Sequence, residues 1–163
     1  MLTIEQLKEL LDYNPDTGVF TWKKNLSRTA KVGTSAGWKE EGYICIQVKG
    51  RAYRANRLAY LYMKGIWPKY IVDHINRVKD DNRWSNLRHA TNSQNNINSK
   101  KQKNNTSGYV GVSWHNATSK WSARIGYKGK KLHLGVYETI EEAVDVYNKK
   151  AIKLYGEFVP RVL

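Results

Sequence analysis

Asp73 and His74 stand side by side, Asn86 follows twelve residues after His74, and Asn95 lies nine further on. These types suit hydrolysis of a phosphodiester. That reaction needs an activated water, neutralised charge at the phosphate and help for the leaving oxygen. A histidine with a pKa near neutrality can take the proton from water. Hard oxygen donors can hold Mg²⁺ or Mn²⁺, ions that keep positions open for phosphate and water. Taken alone, the four residues fit a solvated loop better, with Asn82 and Asn86 making turn hydrogen bonds, because an Asp-His pair is common and the chain is rich in Asn.

The surrounding elements must decide whether these side chains can meet. Residues 70–75 are apolar and strand-like, so Asp73 and His74 would point to opposite faces of a regular strand. One shared site requires the strand to end or bend there, as the polar loop 76–85 suggests. Residues 90–98 have helix length but are almost all polar. Such a helix has no core of its own, must lie on a neighbour, and leaves its polar face for another use. It could carry the Asn95 amide oxygen to the Asp73 carboxylate.

Upstream, Thr3 and Gln6 form a capping box and Leu7, Leu10 and Leu11 an apolar helix face, with an end expected by Asn14 because Pro15 follows. A turn at 16–18 leads to a strand at 19–22. Residues 25–36 read as loop, 43–48 and 51–55 as a hairpin turning at Lys49-Gly50, and 57–63 as a short helix. Tyr60, Tyr62, Trp67 and Trp84 read first as core. Residues 99–107 are the best linker, rich in Lys, Asn and Ser. The pattern then changes to strands at 109–114, 121–127 and 131–136. A second capping box, Thr139 to Glu142, opens a helix to Tyr155, where Ala143, Tyr147, Ala151 and Tyr155 form the face that covers the sheet. No tandem repeat is present.

The chain has 163 residues, room for one ordinary domain or two small ones. Its 28 Lys and Arg against 14 Asp and Glu give a net charge of +14, which predicts attraction to polyanions. Residues 1–103 hold 19 basic and 9 acidic side chains and the remainder 9 and 5, so both parts can meet nucleic acid. The lone cysteine, Cys45, reads as a small buried hydrophobe. It permits no internal disulfide and no Cys-rich structural zinc site, and fits a reducing cytoplasm. No stretch has the length of a membrane span, and the first residues read as a helix rather than a secretory segment.

Three blocks occur in order: Val72-Asp73-His74-Ile75-Asn76, Asp81-Asn82-Arg83-Trp84-Ser85-Asn86-Leu87-Arg88, and Ala90-Thr91-Asn92-Ser93-Gln94-Asn95. They resemble the phage HNH homing endonucleases. Asn14-Pro15-Asp16-Thr17-Gly18 and Arg57-Leu58-Ala59-Tyr60 resemble the same proteins, so the likeness covers nearly all of residues 1–103. It implies a ββα-metal site in which His74 is the general base, Asp73 and Asn95 bind one divalent metal (Mg²⁺ or Mn²⁺), and Asn86 fixes the loop and helps orient His74. Asn95 falls where many relatives have His. Asn56 stands where relatives often carry His before Arg-Leu-Ala, and is read as structural.

Gly108-Tyr109-Val110-Gly111-Val112-Ser113-Trp114, Lys120-Trp121-Ser122-Ala123-Arg124-Ile125 and Leu134-Gly135-Val136-Tyr137 resemble the APETALA2-like DNA-binding domain, over residues 105–160. That likeness implies a sheet in the major groove backed by a helix. Val112, Ile125, Leu132 and Leu134 supply apolar inner positions, and Trp114 and Trp121 pack in the core or at the sheet edge. Ser113, His115, Arg124, Lys131 and His133 become the base-facing candidates, Arg124 foremost because a guanidinium can bond a guanine edge twice. Lys120, Lys128 and Lys130 are the phosphate candidates.

The expected fold is α+β: an HNH module at 1–98 with its motif core at 70–98, a basic linker at 99–107, and a three-stranded antiparallel sheet with one helix at 108–163. The expected function is a metal-dependent endonuclease of homing type acting on double-stranded DNA. It would need no small-molecule cofactor, no structural zinc and no membrane, would act as a monomer or weak dimer, and would work in the cytoplasm, a host cell's if phage-encoded. A DNA-binding regulator with a relic site is the alternative. RNA binding ranks last, since the sheet lacks paired stacking aromatics.

Overall fold

The computed structural model describes residues 1–99 and 105–159. Most of the expected linker, 100–104, lies outside the described residues, as do 160–163 of the expected C-terminal domain. The fold is α+β, with helices and antiparallel sheets in both of its compact units, Met1–Ala90 and Thr91–Leu163. The unit boundary precedes the polar helix, whereas the sequence places the end of the first module at 98.

In the first unit, α1 (Ile4–Leu10) begins at the Thr3–Gln6 capping box. It stops earlier than its apolar pattern suggests, because Leu11 is already extended and opens β1 (Leu11–Tyr13). A tight loop returns the chain as β2 (Phe20–Trp22). Then β3 (Trp38–Glu40), β4 (Tyr43–Val48) and β5 (Arg51–Arg54) form a three-stranded antiparallel sheet. α2 (Ala55–Lys64) follows and closes on Gly65 in the left-handed conformation. β6 (Ile71–His74) and β7 (Leu87–Ala90) make a separate antiparallel pair.

One core joins these pieces, with Leu7, Leu11, Phe20, Ile46, Leu58 and Leu61 all but excluded from solvent. Side chains of this size gain roughly 1.5–3 kcal/mol each on burial. Tyr60, Tyr62, Trp67 and Trp84 pack at its margin, in keeping with their reading as core. Cys45 is buried in β4.

The second unit opens with α3 (Asn92–Asn98), capped by Thr91 and Gln94. Three antiparallel strands follow, β8 (Val112–His115), β9 (Lys120–Tyr127) and β10 (Lys130–Tyr137), with β9 central. β8 begins later than expected, because Gly111 takes φ +74° just before it. A Cβ at Gly111 would collide with the Tyr147 ring, so the glycine lets that ring lie against the chain. α4 (Ile140–Tyr155) runs from its capping box to Gly156, and buries Ala143, Tyr147, Ala151 and Tyr155 as the spacing predicts.

Candidate functional site

β6 runs as a regular strand through His74. Asp73 pairs with Arg88 and His74 with Leu87 on the neighbouring strand, so the two side chains leave on opposite faces. Both are buried, at 7% and 5% exposure. The Asp73 carboxylate accepts from Arg88 Nε at 3.0 Å, and this pair is itself largely shielded. Sequence reasoning assigned Arg88 no role, since only the strand register reveals it.

His74 is the last residue of its strand, and the polar loop folds back over it. Its Nε2 lies 3.3 Å from Asn82 Oδ1, while Asn82 Nδ2 donates to the Asp80 carbonyl at 3.2 Å. An Nε2–H proton on the ring can donate to that amide oxygen. Burial pushes the His74 pKa below its ordinary value, against the opposing effects of the Asn82 bond and the nearby Asp73, Asp81 and Asp80 carboxylates. Burial thus favours the neutral ring.

Asn86 latches the two ends of this loop. Its Oδ1 accepts from the Asn76 amide at 3.0 Å, and its Nδ2 donates to Asn76 Oδ1 at 3.0 Å and the Asp81 carbonyl at 2.8 Å. Its carbonyl also accepts from Ile75 at 2.9 Å. Inside the loop, Arg83 grips the Asp81 carboxylate with two nitrogens, at 2.8 and 2.6 Å, holding its pKa down at about 2. The turn bonds expected of Asn82 and Asn86 are present, and Asn82 Oδ1 also lies beside the His74 ring.

The N-terminal hairpin props the loop from beneath. The Tyr13 hydroxyl donates to the Asn82 carbonyl at 2.6 Å, and Trp84 N donates to the Pro15 carbonyl at 2.8 Å. Gly18, at φ +74°, lets its turn touch the backbone of Asn82 and Arg83, where a Cβ would collide. Asn56 is buried in α2 and donates from Nδ2 to the Val72 carbonyl at 2.8 Å, tying the helix to β6. Its Oδ1 accepts from the Arg57 amide at 3.0 Å.

Asn95 stands on α3, in the second unit. Among the described residues no three of His, Cys, Asp and Glu gather as a metal cluster, and no helix is long and apolar enough to cross a membrane.

In the second unit, the β9 row of Ala123, Ile125 and Tyr127 faces α4, as the Tyr127–Tyr155 ring contact at 5.9 Å shows. Strand alternation and register then put Ser113, His115, Lys120, Arg124, Lys131 and His133 together on the opposite face. Arg124 sits directly across from His133. Lys120 is engaged by Glu138 at 2.6 Å. Lys130 falls on the helix-side row, opposite Tyr127, and Lys128 occupies the turn. Trp114 and Trp121 meet edge to face at 5.2 Å on that same helix-side row, with Trp114 half exposed at the sheet edge. Ser122 shares the outer row, but is buried and its hydroxyl has no hydrogen-bond partner among the described residues.

The family described as HNH endonuclease matches residues 53–97, the stretch from β5 through α3. Protein 3.8 of Escherichia phage T7 is 30% identical over 89 residues, covering 55% of this chain and 73% of the phage protein. The chain belongs to the HNH endonuclease family. A separate likeness is to the ethylene-responsive transcription factor WRI1 of Arabidopsis thaliana, 44% identical over 50 residues. That covers 29% of this chain and 12% of the plant protein's length. No solved structure gives a significant match. For an HNH protein, the residues that sequence reasoning missed are Asn82, which holds the histidine, and Arg88, which holds the aspartate. In a chain rich in Asn, residue type gave too little signal to single out Asn82.

Proposed function

We propose that this HNH protein is a site-recognising DNA endonuclease of homing type, in which His74 activates the water that cleaves a phosphodiester. The observation that carries the reading is the buried imidazole fixed by Asn82 inside a loop latched by Asn86, within the stretch that matches the HNH family. His74 takes the proton as the water oxygen attacks phosphorus, and the P–O bond to the leaving oxygen breaks. Asn82 keeps the ring in one tautomer. Asn86 keeps the loop in register.

HNH nucleases typically use a divalent metal. The resemblance would give the ion the Asp73 carboxylate and the Asn95 amide, one charged and one neutral oxygen of the kind Mg²⁺ or Mn²⁺ takes, whereas Asp73 is buried, engaged by Arg88 and on the face of β6 opposite His74. When bound, such an ion neutralises charge on the phosphate and assists the leaving oxygen. Asn95 enters this set on the resemblance alone.

The second module is proposed to find the site. Ser113, His115, Arg124, Lys131 and His133 would face the bases of double-stranded DNA. Lys128 and Lys130, and Lys120 once released from Glu138, would meet phosphate. The linker at 99–107 would follow the backbone. A lone HNH site handles one strand, so a monomer nicks, and a double-strand break needs a dimer or a second event.

The test is a supercoiled-plasmid assay with Mg²⁺, Mn²⁺ or EDTA, using DNA from the gene's own neighbourhood, with wild type beside His74→Ala. Open-circular product that requires metal and His74 supports the proposal. Retained binding without any cutting by wild type, on DNA known to hold the target, would leave a DNA-binding regulator.

A further inference from the structure

Beside His74, on the sheet β3–β5 rather than on the HNH motif, lies a second cluster. The Tyr43 ring sits 6.0 Å from the His74 ring, centroid to centroid. Arg54 places its guanidinium carbon 4.0 Å from the Tyr43 centroid, and Lys79 places Nζ at 4.7 Å. Two cations from segments far apart in sequence therefore share one aromatic ring next to the imidazole.

Both cations are exposed but held. Lys79 Nζ donates to the Glu41 carbonyl at 3.2 Å, and its stem lies against Gly42. Arg54 rests on the ring face, where the ring's negative face attracts the guanidinium. Among the described residues neither makes an ion pair with a carboxylate. Of the acids around His74, Asp73 is paired with Arg88, Asp81 with Arg83 and Asp80 with Lys39. Two ordered cations without acidic partners are prepared for an external anion.

We infer that Arg54 and Lys79, braced on Tyr43, form a phosphate clamp that seats the DNA backbone next to His74. The inference rests on the nuclease reading for the identity of the ligand. Along one strand of duplex a phosphate recurs every ~3.4 Å of helix axis, so cations this near the imidazole meet phosphates one or two steps from the reacting one. Arg54 and Lys79 are positioning residues: they touch the strand being cut, not the bond that breaks.

The experiment measures binding of a labelled mixed-sequence duplex by the full chain at several salt concentrations, in a His74→Ala background so that no cleavage intervenes. Arg54→Gln and Lys79→Gln are compared with Lys49→Gln, which removes the same charge in the β4–β5 turn. Each clamp variant is expected to weaken binding and to lower the slope of log K against log salt by about one, with Lys49→Gln leaving the slope unchanged. Thermal midpoints equal to the parent's guard against misfolding, and Arg54→Lys should restore the slope. Unchanged slopes for both clamp variants, or the same fall in all three, overturn the clamp. Cutting by the otherwise wild-type chain is assayed separately. If it fails while the slopes fall, the clamp stands as a DNA contact and the nuclease reading is lost. If it succeeds while the slopes hold, the reverse is true.

Discussion

Asn82 touches His74 with its side chain and Tyr13 with its backbone: Oδ1 lies 3.3 Å from the imidazole Nε2, and the carbonyl accepts from the Tyr13 hydroxyl at 2.6 Å. The two bonds are separable by mutation. Asn82→Ala deletes the first and keeps the second, so the loop retains its anchor while the histidine loses its tautomer guide. Nicking should fall about tenfold or more, a share of the roughly 10²–10⁴-fold that a positioned base contributes. DNA affinity should hold. Single-turnover nicking and a gel shift on the same duplex check both halves, and an unchanged rate would remove Asn82 from the mechanism.

The depressed pKa of His74 has two signed consequences. In the proposed mechanism the neutral ring is the base, so the nicking rate should climb from acid pH and level off below the ordinary histidine value of about 6.5. Stability follows the opposite protonation. Because burial lowers the folded pKa, the unfolded chain takes up the proton first as pH falls. The contribution is complete above about pH 6.5 and is lost below it, until the folded histidine also protonates. Urea unfolding on both sides of that value should show a smaller acid-side loss for His74→Gln than for wild type.

The residues that carry local signals were legible before the structure. Capping boxes at Thr3 and Thr139 marked the true starts of α1 and α4, and the four-residue recurrence from Ala143 to Tyr155 marked the buried face. Strand β3 escaped because Trp38, Lys39 and Glu40 are all exposed and show no alternation. Strand β1 escaped because Leu10 and Leu11 continue a helical pattern that the backbone abandons at Leu11. At the site, type and spacing alone favoured a solvated loop, and it was the three-block resemblance that singled out His74 and Asn86. Their supports depend on long-range closure: Asn82 matters only once the loop folds back, Arg88 only once β6 and β7 find their register, and Arg54 only once Tyr43 comes up beside His74.

Gly18 shows how the hairpin before the motif can govern the motif. It holds φ +74°, and a Cβ there would meet the backbone of Asn82 and Arg83. Gly18→Ala must both strain its own backbone, at roughly 1–3 kcal/mol, and push the loop off its seat. Urea denaturation should register the first effect. The second should appear as a nicking loss larger than that of Gly33→Ala, a glycine also at positive φ (+79°) but with open space around it. Equal losses in the two variants would mean that loop contact at Gly18 contributes nothing to catalysis.

Asp73 and Arg88 form the most enclosed ion pair among the described residues, with side-chain exposures of 8% and 12%. Removing one partner strands a buried charge, which typically costs about 3–5 kcal/mol, whereas removing both with groups of similar volume is often nearly neutral. Arg88→Met should therefore destabilise the fold severely, Asp73→Leu comparably, and the double variant less than the sum of the two. A double-mutant cycle by urea unfolding isolates that coupling, since the side chains are in direct contact. The cycle also bears on the proposed metal, because the guanidinium beside Asp73 neutralises the carboxylate that would hold the ion. Mn²⁺ titration of Arg88→Met, followed by the ion's own resonance signal, should show tighter binding than wild type if the variant stays folded. Weaker or equal binding would mean that Arg88 organises the carboxylate for the ion instead of competing with it.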